Sequence, residues 1–119
     1  INPMIVHGQS QGAIAQGIGQ ALHEHTVYDA DSGQLLSGSF MDYTLPRAAH
    51  LPYFDGILNE VPSPTNSLGA KGAGEGGTTG APAAVINAIM DALAPIGVEN
   101  IDMPATPLRI WQAIQDSKR

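Results

Sequence analysis

The chain contains no cysteine, which removes disulfides, thiolate zinc sites and any iron–sulfur cluster bound through its own residues. That absence leaves the compartment open, with the reducing cytoplasm as the default expectation and the periplasm still allowed. Basic residues are scarce as well. Five Lys and Arg stand against eleven Asp and Glu, a formal net charge of -6, so no cationic track exists for a phosphate backbone and nucleic acid is not expected as a partner. Charged residues make up 13% of the chain against 43% apolar, about half the ~25% charge of an ordinary domain, so a free-standing surface is poorly clothed and protein partners are implied. No apolar run is read as reaching the ~18 residues of a membrane span, and the basic, apolar, small-residue order of a signal peptide is missing. The chain therefore reads as soluble, with no membrane span.

What is present is one domain's worth of sequence at most: 119 residues, enough to bury roughly two-thirds of the unfolded surface. Its nine prolines and fourteen glycines fall mostly between apolar runs and act as punctuation. The opening "INPMIVHGQSQG" has no polar lead-in, so the chain is expected to begin inside a larger gene product, removal of a short leader being the alternative.

From Gln9 to His25, Ile14, Ile18, Ala21 and Leu22 recur at helical spacing. Gly8, Gly12 and Gly19 share one face, and three glycines cost a helix about 2 to 3 kcal/mol, which predicts close approach of another backbone or a cofactor. Thr26–Tyr28, the turn "DADSG" and Gln34–Leu36 predict a hairpin, and Phe54–Val61, bounded by Pro52, Pro62 and Pro64, predicts a strand. A second helix carries Val85, Ile86, Ile89, Met90 and Leu93 on one stripe, with Pro82 in its first turn and Pro95 as its stop. A third starts at Thr106 as N-cap and Pro107 as first residue, turning Leu108, Trp111 and Ile114 toward a core, before a solvated "QDSKR" tail. Helix, hairpin, strand, glycine loop, helix, helix is an α+β layout.

Four histidines invite a metal, yet His23 and His25 stand two apart on a helix end and have no third ligand at a workable spacing, so zinc is not expected. His7 and His50 read as isolated. In "LGAKGAGEGGTTGAP" (Leu68–Pro82) six glycines surround a single Glu75. The dinucleotide fingerprint keeps neutral small residues where a pyrophosphate must approach, and a P-loop closes on Gly-Lys-Ser/Thr; neither pattern is met. Glu75 is therefore either an exposed loop carboxylate or a base carried on a thin backbone directly before a helix.

Four ordered blocks, "INPMIVHGQSQGAIAQGIGQAL", "GSFMDYTLPRA", "PSPTNSLGAKGAGEGG" and "DMPATPLRIWQAI", resemble the C-terminal end of the molybdenum-binding large subunit of the xanthine dehydrogenase family, most closely its carbon monoxide dehydrogenase and aldehyde or N-heterocycle oxidoreductase branches. The resemblance covers nearly the whole chain. It implies that residues 1–119 are the C-terminal segment of a molybdopterin-binding domain, incomplete on its own and inactive as a fragment. It implies hydroxylation of an electron-poor carbon in an aldehyde, an N-heterocycle or carbon monoxide, with water as oxygen source and Glu75 as general base beside the metal. Gly8, Gln9, Lys71, Gly72, Ala73 and Gly74 are implied as cofactor contacts. Lys71 pairing with a surface acid is the other reading of that residue. The implied cofactor is molybdopterin, its cytosine dinucleotide form included. The implied partners are the remainder of the molybdenum subunit, an iron–sulfur subunit, an FAD subunit and a small-molecule substrate. Thr78 after Gly77 is a minor departure from the family pattern. The alternative is a non-catalytic packing module of a multisubunit complex.

Overall fold

The computed structural model describes residues 1–118. Three helices carry it: α1 (Pro3–Leu22), α2 (Gly76–Leu93) and α3 (Pro107–Asp116), with short 3₁₀ turns at Ala48–His50 and Ala94–Ile96. No strand forms among the described residues, so the α+β expectation is not met. Of the hairpin, the turn and a single bridge between its arms survive. Asp29 Oδ1 accepts from the Ser32 amide and hydroxyl at 2.8 and 2.7 Å, Gly33 sits at φ +71°, and a lone antiparallel bridge joins Tyr28 to Leu35. Two short arms without a third strand cannot sustain a ladder. Residues 54–61 are irregular for the same reason: no strand among the described residues is there to pair with them, and prolines stand on both sides.

Helix α1 begins six residues earlier than its periodicity suggests. Asn2 caps it, its Oδ1 accepting from the Ile5 amide at 3.2 Å, and Pro3 sets the first φ. Helix α2 likewise starts at Gly76, leaving Pro82 in its interior. Three glycines in its first five residues oppose helix formation, and tertiary contact overrides them. The Thr78 hydroxyl donates to Ala13 O of α1 at 3.1 Å. A Cβ on Gly77 would lie 2.7 Å from the Ile14 amide nitrogen, and one on Gly17 would lie 2.8 Å from Ala81 Cβ and 2.9 Å from Pro82 Cδ.

The two helices thus meet closely through Ala13 and Gly17, four residues apart on one face of α1. Of the glycine face expected from sequence, only Gly19 is pressed, against Pro46 and Glu24. Gly8 and Gly12 look onto open space.

Past Leu93 the chain turns through Ala94–Ile96 and leaves by Gly97 at φ +84°, a left-handed helix exit. The Ala105 amide donates to Ala21 O at 2.6 Å and moors the last segment to α1. Thr106 and Pro107 start α3 as the sequence predicts, the Thr106 hydroxyl accepting from the Arg109 amide at 3.3 Å. Gln115 and Asp116 belong to its last turn rather than to a tail; Arg119 lies outside the described residues. Leu108 and Trp111 are exposed instead of core-facing.

The buried apolar set is small: Ala13, Ala21, Val98, Ile101 and Ala105. The radius of gyration is 18.2 Å, where about 13.5 Å describes a compact domain of this length. The accessible surface is 8722 Å², against about 6,100 Å² for a compact chain. One helical stretch, Gly76–Ile96, is long and apolar enough by length and composition to cross a bilayer, which corrects the reading that no such run exists. Asp91 is its sole charged residue, and its first half is packed on α1.

Candidate functional site

The glycine loop and the N-terminal half of α1 come together. A Cβ added at Gly74 would stand 3.6 Å from Gln9 Nε2, so the Gln9 amide lies directly against the loop one residue before Glu75. Gly8 and Gln9 are in the interior of α1 and not at its start, where the helical spacing read from Gln9 onward puts them. Interior amides are taken by the helix ladder; Gln9 offers only its side chain, one donor group and one acceptor. The sequence carried the signal for the true start in Asn2–Pro3.

Glu75 is the N-cap residue of α2, yet its side chain makes no capping bond and is exposed. Its backbone is anchored: Glu75 O accepts from both the amide and the hydroxyl of Thr79 at 3.1 Å. The first amides of α2, from Gly76 to Thr78, precede the first intrahelical bond and carry the positive end of the helix dipole. A Cβ at Gly72 or Gly76 would meet nothing within 4 Å.

Lys71, Gly72 and Ala73 line one wall of a groove of about 620 Å³ whose other walls are the start of α1 and residues 58–62. Lys71 makes no ion pair among the described residues. Upstream, the loop is braced by Asn66, whose side-chain amide bonds both the C=O and the N–H of Ala70, at 3.0 and 2.9 Å. Sequence reading passed over Asn66 and Thr79 because nothing in spacing marks a side chain that bonds backbone four residues away.

The opposite end of α1 holds a second, apolar hollow of about 380 Å³, walled by Leu22, His23, Ala105 and α3 residues including Trp111 and Ile114. Beside it the His23 and His50 rings lie 5.4 Å apart between centroids, so His50 is not the isolated side chain the sequence suggested. Burial, then the like charge of His50, holds His23 below the ordinary 6.5, and Glu24 opposes them more weakly. The Tyr43 hydroxyl donates to Glu24 Oε2 at 2.5 Å, a bond that raises the phenol's pKa. Among the described residues no group of three or more potential metal ligands is clustered.

A molybdopterin cofactor-binding domain family model matches residues 1–52. The chain is 45% identical over 113 residues to the nicotine 6-hydroxylase large subunit of Paenarthrobacter nicotinovorans, covering 95% of this chain and 14% of that one. Its fold superposes on quinoline 2-oxidoreductase from Pseudomonas putida 86 with a TM-score of 0.91 and 47% identity, covering 98% of this chain and 15% of that one. CO dehydrogenase from Oligotropha carboxidovorans superposes with a TM-score of 0.93 and 35% identity over 99% of this chain and 15% of that one. The chain thus spans about one-seventh of the length of these relatives.

Proposed function

Because this chain belongs to the molybdenum hydroxylase family, as a segment of its molybdenum-binding large subunit, we propose that it carries the proton-accepting arm and part of the cofactor cradle of that enzyme. On this reading residues 1–119 are the C-terminal segment of a molybdopterin-binding domain and are incomplete without the rest of the subunit. The observation that carries the proposal is the meeting of Gln9 and Gly74 one residue before an exposed Glu75.

The residues present suit an anionic, hydrogen-bonding pterin. Gln9 provides an amide that both donates and accepts, and Lys71 an ammonium without an acidic partner among the described residues. The open α2 amides favour an anion, and the bare backbone at Gly8, Gly72 and Gly76 leaves room for a flat ring system to come close. Ala73 and Gly74 keep the loop thin at the same place. The bound group, the cytosine dinucleotide form included, supplies the two-electron oxidising power of the reaction.

Glu75 takes the proton. A carboxylate oxygen on a side chain free of capping bonds can accept it from the water that becomes the product oxygen, and general-base catalysis of this kind contributes roughly 10²- to 10⁴-fold. Relatives 45% and 47% identical are named for nicotine and quinoline, which supports an aromatic N-heterocycle as substrate over an aldehyde or carbon monoxide. Iron–sulfur and FAD subunits would be the acceptors of the electrons released.

Glu75→Gln in the assembled enzyme should reduce kcat by at least about 10²-fold with molybdenum content near that of the wild type. Turnover at a comparable rate would remove Glu75 from the mechanism and leave the packing-module reading in its place.

A further inference from the structure

The point from which the glutamate arm departs is fixed by a residue outside the cofactor-facing set. Asn66 lies in a closed turn. Ser63 N–H donates to Gly69 O at 3.0 Å, Gly69 N–H donates to Asn66 O at 3.1 Å, and Ser63 and Thr65 share a hydroxyl–hydroxyl bond of 2.8 Å. Pro62 and Pro64 fix two φ angles. Gly69 is obligatory, since its φ is +64° and a Cβ there would lie 2.8 Å from Pro62 Cβ.

This ring releases the chain at Ala70, and there Asn66 satisfies both polar backbone groups with one side chain: Nδ2 donates to Ala70 O at 3.0 Å and Oδ1 accepts from Ala70 N–H at 2.9 Å. On the far side, Thr79 holds Glu75 O through two bonds of 3.1 Å. Between the two clamps stand only Lys71 to Gly74, which no hydrogen bond among the described residues anchors. Two of those four residues are glycine, so the segment has little stiffness of its own. Its course is set by its ends.

We propose that Asn66 is a positioning residue for Glu75: by gripping Ala70 at both backbone groups it fixes the start of the arm and, with it, where the carboxylate stands. The inference rests on the role proposed for Glu75. A primary amide is the side chain that can pair with a donor and an acceptor of the same residue; Asp offers acceptors alone, and Ala offers neither.

The test uses the assembled enzyme and the variants Asn66→Ala, Asn66→Asp and Glu75→Gln. It reads kcat, KM, molybdenum content and hydrogen–deuterium exchange of residues 66–79, the last with and without cofactor. Asn66→Ala should lower kcat by about 10- to 100-fold, as misplacement on the order of 1 Å does, with KM within about twofold and molybdenum content unchanged. Exchange across residues 66–75 should quicken in both cofactor states. Asn66→Asp, which keeps the acceptor for Ala70 N–H, should recover part of kcat. Wild-type kcat in Asn66→Ala beside an inactive Glu75→Gln overturns the positioning role and leaves the base intact. Parallel loss of kcat and molybdenum in Asn66→Ala, with no recovery in Asn66→Asp, overturns it in favour of simple collapse of the loop. An active Glu75→Gln ends both readings together.

Discussion

Glycines that look alike in the sequence have opposite surroundings in the fold. Gly17 and Gly77 are seams where α1 and α2 touch through backbone, with would-be Cβ contacts of 2.8 and 2.7 Å, whereas Gly8 and Gly12 face nothing within 4 Å. Gly17→Ala should therefore destabilise the subunit by about 1 to 3 kcal/mol, because the Ala81 and Pro82 atoms it would strike belong to a helix that cannot give locally. Gly12→Ala should be neutral or stabilising by up to about 1 kcal/mol, from helix propensity alone. Thermal unfolding midpoints of the two variant enzymes decide the matter, and equal losses would mean that a further part of the subunit also closes over Gly12. The same local logic separates Gln9 from its neighbours. Set in the interior of α1, it meets the glycine loop only because α2 docks on the next turns of that helix.

At the scale of the element, the C-terminal end of α1 shows competing effects on a single histidine. A helix C-terminus ordinarily favours a protonated imidazole, yet His23, the C-cap of α1, is held below 6.5 because burial and the neighbouring His50 outweigh the attraction of Glu24. The direction fixes the sign of the pH dependence. The unfolded chain binds this proton at about 6.5 while the folded chain resists it, so the stability is complete above that value and falls away as pH drops through the lowered folded value. Lowering the pH from 7.5 to 5.5 should thus depress the unfolding midpoint more in the wild-type enzyme than in His23→Gln. Identical slopes for the two would show that His23 stays protonatable in the fold. Helix α2 obeys another balance: an intrinsically poor first turn, rich in glycine and with Pro82 behind it, is helical because α1 offers Ala13 O and a bare backbone to pack on.

For the whole molecule, extent is the informative quantity. The molecule measures 58 × 39 × 29 Å, with Met41, Tyr53, Ile57 and Leu68 each at least four-fifths exposed. Apolar burial drives folding in proportion to area removed from water, and here the area removed is small while the backbone of residues 23–75 still has to be ordered. Expressed alone, the 119 residues should bind a hydrophobic dye, show less helix by circular dichroism than the three helices imply, and melt without a cooperative transition. A sharp calorimetric transition from a monomer would contradict this. Such a surface supports the proposed reading of a segment that the rest of the subunit covers, and the chain spans 14 to 15% of its relatives.

Local chemistry was legible wherever a residue acts on its immediate neighbours. Thr106 and Pro107 start α3, the Asp29–Gly33 turn closes, and the apolar stripe of α2 is helical, because caps, prolines and spacing act within a few residues. The candidate loop could be picked out because six glycines around one carboxylate are costly without a use. Legibility ended where a partner at long sequence distance decides. The sequence cannot say that strands at 26–36 and 54–61 find no third strand among the described residues, that α2 extends back to Gly76, or that Gln9 and Gly74 touch across 64 intervening positions. Those outcomes depend on how two helix backbones pack, a property of surfaces brought together by folding that no single stretch of the chain contains.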